Sequence, residues 1–234
     1  MVKSCLPINF DLPMTMYRFL LALFCCIYGI LFNAIVAQTT AVKQYIELYK
    51  NIAMREMVTY KVPASITLAQ GLLESGSGNS RLAVNGNNHF GIKCKKDWTG
   101  CTILEDDDAL QECFRCYTSA EDSYKDHSRF LSENKRYAAL FTLSIMDYKG
   151  WAAGLLAAGY ATNQKYTDLL IGCIERNHLA QYDTMVSKGY DPFAEGPLSA
   201  NIDIVNTRHI PNTVLQPNQT LEKVAEQNNK TEKK

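Results

Sequence analysis

The feature that most constrains this chain is an apolar helix that stops abruptly on a carboxylate. Ile66, Ala69, Leu72 and Leu73 recur at the spacing of one helical face, and Pro63 suits a first helical turn. Glu74 closes that stripe. Ser75-Gly76-Ser77-Gly78-Asn79 then ends the helix, because glycine and asparagine readily take the backbone conformations that follow a helix C-terminus. A carboxyl group in that place is half desolvated by its own helix and can project into whatever cleft the next loop borders. Desolvation raises a carboxyl pKa, and a raised pKa lets glutamic acid donate a proton near neutrality. The plainer reading is a solvated glutamate in a last turn, which the helix dipole opposes only weakly. Spacing and capping by themselves favour that plainer reading.

The surrounding residues shift the balance. Ala69, Gln70, Leu73, Glu74, Ser75, Gly76, Gly78 and Ser80 form one block, and Asn87, Asn88, Phe90, Gly91, Ile92 and Lys93 form a second. In this order and at this distance they closely resemble the glucosaminidase family of peptidoglycan hydrolases, glycoside hydrolase family 73. The resemblance continues through Phe114, Arg115 and Tyr117, Asp126-His127 and Gly159-Tyr160-Ala161-Thr162, so it covers residues 41–185. It implies a predominantly helical α+β fold, lysozyme-like, with a small β-hairpin lobe facing a helical lobe across the substrate cleft. It also implies Glu74 as the catalytic acid, with Tyr160 in the cleft beside it, holding substrate or positioning water. Asn163 stands where relatives commonly carry aspartate, which puts a charged role there in doubt. Asn88, Phe90, Tyr124 and Asn163 are the expected substrate contacts. From the residues alone, Asn88 reads equally as an asparagine bonding its own loop, and Phe90 as an anchor into the core.

Glycoside hydrolysis usually needs a second carboxylate opposite the acid. Two short runs, CTIL and LQECFRCY, flank an acidic turn at Glu105-Asp106-Asp107-Asp108, which reads as an antiparallel hairpin. Glu105 is the expected second carboxylate and Asp106 the next choice, because they sit where the first strand meets the turn. The bland reading is a solvated acidic tip.

Cys94, Cys101, Cys113 and Cys116 bracket that hairpin. Their spacing fits a zinc knuckle, with the CxxC pair as its strongest piece. It also fits disulfides stapling a lobe with little core of its own. Export decides for disulfides, since thiols outside the cytoplasm are usually oxidised. Spacing does not determine connectivity; Cys94–Cys113 with Cys101–Cys116 is the preferred pairing. Cys173, in a helical apolar pattern, reads as a buried free thiol.

Export itself is read from residues 19–36, FLLALFCCIYGILFNAIV, which follow Arg18 and precede Ala37. A basic flank, an apolar run and small residues before a polar restart describe a signal peptide, although the run approaches the length of an uncleaved anchor. Residues 1–37 are therefore assigned to a signal or anchor, 38–188 to the glucosaminidase domain and 189–213 to a Pro/Gly-rich linker. Residues 214–234 resemble the first half of a lysin-motif repeat, too short to enclose a core. The chain is 47% apolar and 21% charged with zero formal net charge. That balance, without a basic stripe, excludes an electrostatic grip on nucleic acid.

Helices are expected over 42–62, from Ser119 as an N-cap, over 144–159 and over 166–185. Asp126-His127 reads as a packing and hydrogen-bonding pair. The whole describes an exported, monomeric hydrolase acting on peptidoglycan glycan strands, free of metal and cofactor, and touching a membrane only through an uncleaved N-terminal segment. Its rivals are a non-catalytic glycan-binding protein on the same scaffold, and a thiol or zinc peptidase using His89 or His127.

Overall fold

The computed structural model describes residues 39–107 and 109–194, together with Phe24. The expected signal or anchor, the lysin-motif-like tail and most of the linker lie outside the described residues.

Helix α1 covers 39–60 and buries Tyr45, Ile46, Ile52, Ala53, Met54 and Met57, an apolar face at helical spacing. Lys61 turns the chain with a positive φ of 63°, and Pro63 leads into α2 (Ala64–Glu74). Every residue of α2 from Ala64 to Leu72 is buried, so this helix is the axis of the molecule rather than a surface element. It packs against α5 (Tyr148–Ala157), α6 (Tyr166–Arg176) and α7 (Ala180–Ser187). Gly71 lets Tyr45 of α1 and the Tyr124 side chain lie close against α2. A Cβ there would lie 2.5 Å from the Tyr45 hydroxyl and 3.0 Å from that of Tyr124.

Both ends of α2 are fixed by side chains. At the start, the buried Asp183 carboxylate of α7 accepts from the Ser65 amide at 2.8 Å and from the Ser65 hydroxyl at 2.5 Å, satisfying donors that a helix N-terminus leaves open. At the finish, Ser75 donates its hydroxyl to the Gly71 carbonyl and accepts from the Gly78 amide at 2.7 Å. Gly76, Ser77 and Gly78 all take positive φ there, which turns the chain sharply after Glu74. Helix α3 (Arg81–Gly86) follows, capped by Ser80 and closed by a left-handed Asn87.

Strands β1 (Thr102–Glu105) and β2 (Glu112–Arg115) pair antiparallel, with Thr102 opposite Arg115 and Glu105 opposite Glu112. Cys94–Cys113 and Cys101–Cys116 are at disulfide distance, with Cα separations of 5.3 and 5.2 Å, so the four cysteines staple the hairpin. Cys173 is a buried free thiol. Helix α4 (Ala120–Glu133) opens with a reciprocal cap: Ser119 accepts from the Asp122 amide and donates to its carboxylate.

Two expected helices are corrected. The one expected over 144–159 begins only at Tyr148, where Asp147 caps the Gly150 amide, and a 3₁₀ helix (Lys135–Thr142) precedes it. The run expected over 166–185 breaks at His178, which adopts φ +55° and separates α6 from α7. The result is an α+β, mostly helical, lysozyme-like fold whose small β-lobe stands beside the C-terminal end of α2.

Candidate active site

Glu74 is where the buried axis surfaces. The positive-φ turn leads the backbone away and leaves its side chain on the wall of an open groove of about 740 Å³. The residue as a whole is exposed to solvent, while its carboxyl end is partly desolvated by the groove wall. Burial raises its pKa above the ordinary glutamate value, and the negative charge of Asp107 adds to the rise.

Asp107 comes from the hairpin tip and also lines the groove. Lys93 holds it there through a 2.9 Å ion pair, and pairs with Glu112 on β2 at 2.8 Å. The hairpin carboxylate that shares the groove with Glu74 is thus Asp107. Glu105 and Asp106, expected for that place, lie outside the groove lining. Glu105 is drawn aside by Arg81 of α3, which also donates to the Leu104 carbonyl. Asp106 accepts from the Gln111 amide and side chain within the turn, which lowers its pKa.

Tyr160 and Tyr166 line the groove with ring centroids 5.7 Å apart. Burial raises both hydroxyl pKa values and the Glu74 charge raises them further, so both remain proton donors. Tyr166 was not singled out by the sequence, although Gln70, in the first motif block, leads to it. The Gln70 Nε2 donates to the Tyr166 hydroxyl at 2.9 Å, and His127 Nε2 lies 3.1 Å from Gln70 Oε1. A carbonyl oxygen only accepts, so His127 Nε2 carries the proton. Burial pushes the His127 pKa down to about 3, which keeps the ring neutral and its Nδ1 bare; that nitrogen has no hydrogen-bond partner among the described residues. Donation therefore runs one way, from His127 through Gln70 to Tyr166, and leaves the Tyr166 proton to face the groove. This bears out the packing and hydrogen-bonding reading of His127. Asp126, its neighbour in sequence, instead accepts from Arg115 and Tyr117, both at 2.8 Å.

Phe90 lines the groove and stacks on His127 with centroids 4.0 Å apart. Asn163 lines it too, with its Oδ1 accepting from the Lys165 amide at 2.9 Å. The other two expected contacts are corrected. Asn88 is 1% exposed and donates to the Ile92 and Arg115 carbonyls while accepting from the Phe90 and Ile92 amides. Its amide is spent on folding the loop. Tyr124 is 0% exposed and donates to the Tyr45 hydroxyl at 2.8 Å beneath the groove.

A carboxyl-tipped buried helix facing a small acidic hairpin across an open groove defines the lysozyme-like class of glycoside hydrolases. The family model for glucosaminidases, described as mannosyl-glycoprotein endo-β-N-acetylglucosaminidase, matches residues 50–179, and the chain belongs to that family. It is 33% identical over 135 residues to the exo-glucosaminidase LytG of Bacillus subtilis, covering 53% of this chain and 47% of LytG. To the peptidoglycan hydrolase FlgJ of Salmonella typhimurium it is 34% identical over 154 residues, covering 61% of this chain and 45% of FlgJ. The chain thus spans about half the length of the curated relatives it matches. The solved glycoside hydrolase domain of that FlgJ superposes with a TM-score of 0.52 at 30% identity, covering 70% of this chain and 98% of the domain. The catalytic domain of the autolysin Auto from Listeria monocytogenes gives 0.53 at 28% identity, with 61% and 88% covered.

Proposed function

We propose that this chain is an exported, monomeric peptidoglycan hydrolase that cleaves β-1,4 bonds at N-acetylglucosamine, with Glu74 as the general acid. The observation that carries the reading is Glu74 itself: a carboxyl group with a raised pKa, fixed at the end of a buried helix and presented to a groove. Protonated Glu74 donates to the leaving glycosidic oxygen as the sugar carbon becomes cationic. Asp107, held by Lys93, activates the incoming water or stabilises the cationic sugar. The Tyr160 and Tyr166 hydroxyls donate to oxygens of the bound sugar or orient that water. The stapled hairpin supports action outside the cytoplasm, where disulfides persist.

The test is purified protein on isolated cell-wall sacculi, with released fragments read by mass spectrometry. The wild type is expected to release fragments ending in reducing N-acetylglucosamine. Glu74→Gln should lower turnover about 10³-fold, the range expected for loss of a general acid, while still binding glycan. A wild type that binds sacculi and releases nothing would replace this reading with that of a glycan-binding protein.

A further inference from the structure

One stretch of groove wall is built from cations and aromatic rings rather than carboxyls. Lys95 Nζ sits 5.0 Å above the Phe130 ring centroid. Phe130 meets Tyr137 with centroids 5.6 Å apart, and the Arg136 guanidinium carbon lies 6.0 Å from the Tyr137 ring. All four residues line the groove, so two cations bracket two touching rings along one wall. Gly159, at φ +74°, makes room for the guanidinium, because a Cβ there would come within 2.8 Å of an Arg136 Nη atom. Among the described residues neither Lys95 nor Arg136 has a carboxylate partner, whereas Lys93 in the same groove has two. Cation–π contacts hold each head in place without neutralising it.

We propose that Lys95 and Arg136 form an anion-binding subsite for a carboxylate carried on the glycan, namely that of the acidic peptide stems of peptidoglycan. The proposal rests on the glycan-cleaving reading of this groove and names the substituent that it selects. A neutral β-1,4 N-acetylglucosamine polymer offers such a pair no opposite charge to bind. A stem carboxylate offers both cations a charge-assisted hydrogen bond, and the guanidinium fork matches a carboxylate in two-point geometry.

The experiment measures binding of stem-bearing disaccharide fragments to the Glu74→Gln protein, which does not consume them. Fragments with free stem carboxyls are compared with the same fragments after carboxyl amidation. The free form is expected to bind about tenfold more tightly, as a charged hydrogen bond predicts, and the preference should shrink as salt is raised. In Lys95→Gln/Arg136→Gln the ratio of the two dissociation constants should fall to about one, while Lys95→Arg should keep it. Both residues are exposed, so folding is not at stake. Equal binding of the two fragments by Glu74→Gln, or an unchanged ratio in the double variant, would overturn the subsite. A wild type that cleaves no sacculi yet shows the carboxylate preference would instead sink the hydrolase reading and leave the subsite standing.

Discussion

Two carboxylates two residues apart in one turn have different surroundings, and the cations they meet explain why. Glu105 is claimed by Arg81 away from the groove lining, while Asp107 is held by Lys93 at the groove. Only the second charge is close enough to raise the Glu74 pKa. Asp107→Asn is therefore expected to cut turnover on sacculi about 10²-fold, within the range for a positioned acid–base group, with little change in KM. Glu105→Gln should stay within about threefold of wild type, since its loss removes only an exposed ion pair. Steady-state kinetics on the two variants decide between them, and the reverse order of effects would restore Glu105 as the second carboxylate. The sequence led to this turn, and within it the structure puts Asp107 rather than Glu105 or Asp106 on the groove wall. Strand-end position singles out Glu105, whereas the selection is made by Arg81 and Lys93, which reach the turn from elsewhere in the chain. Glu74 was legible for the opposite reason: its apolar stripe and stop signal are local, and the motif blocks add the rest. Lys95, Arg136 and Tyr166 carry no local signal, because what distinguishes them is the ring, glycine or glutamine each one meets.

At the scale of elements, the hairpin is the part with the least core of its own. Its strands are four residues each and mostly exposed or half-buried, with Phe114 the one buried residue in them and Cys116 buried just after β2. Two cross-links offset that lack, by shrinking the unfolded ensemble of the segment they close. Cys94 also lines the groove, so the same bond that stabilises the lobe sets one of its edges. Reduction, or Cys94→Ser/Cys113→Ser, is expected to lower turnover at least tenfold while the helical far-UV signal changes little. With the partners 19 positions apart in sequence, the loop-closure model assigns the bond about 3 kcal/mol, spent mainly on the lobe. Full activity of the reduced protein would show that the hairpin holds Asp107 in place unaided. The helices were more legible than this lobe, and their errors are instructive. The apolar positions skip from Ile174 to Leu179 across Glu175-Arg176-Asn177-His178, so a polar stop with Asn177 at the C-cap marks the break that the left-handed His178 makes between α6 and α7. The late start of α5 follows from Asp147 capping Gly150, a choice that competes with Ser144 as an equally good cap.

For the molecule as a whole, two buried carboxyls outside the groove couple stability to pH. Glu56 of α1 is 7% exposed and its Oε2 has no hydrogen-bond partner among the described residues; burial pushes its pKa up to about 7. Asp183, 0% exposed, caps α2, and burial outweighs the Ser65 hydrogen bonds to put it at about 6. Both values lie above those of the unfolded chain, so between about pH 4 and pH 7 the folded state holds protons that the unfolded state has released. Stability contributed this way is complete below the unfolded values and is lost as pH rises through the folded ones. Each raised carboxyl amounts to about 3 kcal/mol over that window, as an order of magnitude. The unfolding midpoint should therefore climb as pH falls from 8 to 5.5, and Glu56→Gln should flatten the climb by removing one of the two groups. The same direction serves the groove, where a raised Glu74 pKa keeps the acid protonated further toward neutrality. Thermal unfolding followed by circular dichroism at half-unit pH steps provides the check. A midpoint that is flat or falling between pH 8 and 5.5, or a Glu56→Gln curve parallel to wild type, would mean that these carboxyls are solvated or paired in solution and that the coupling does not exist.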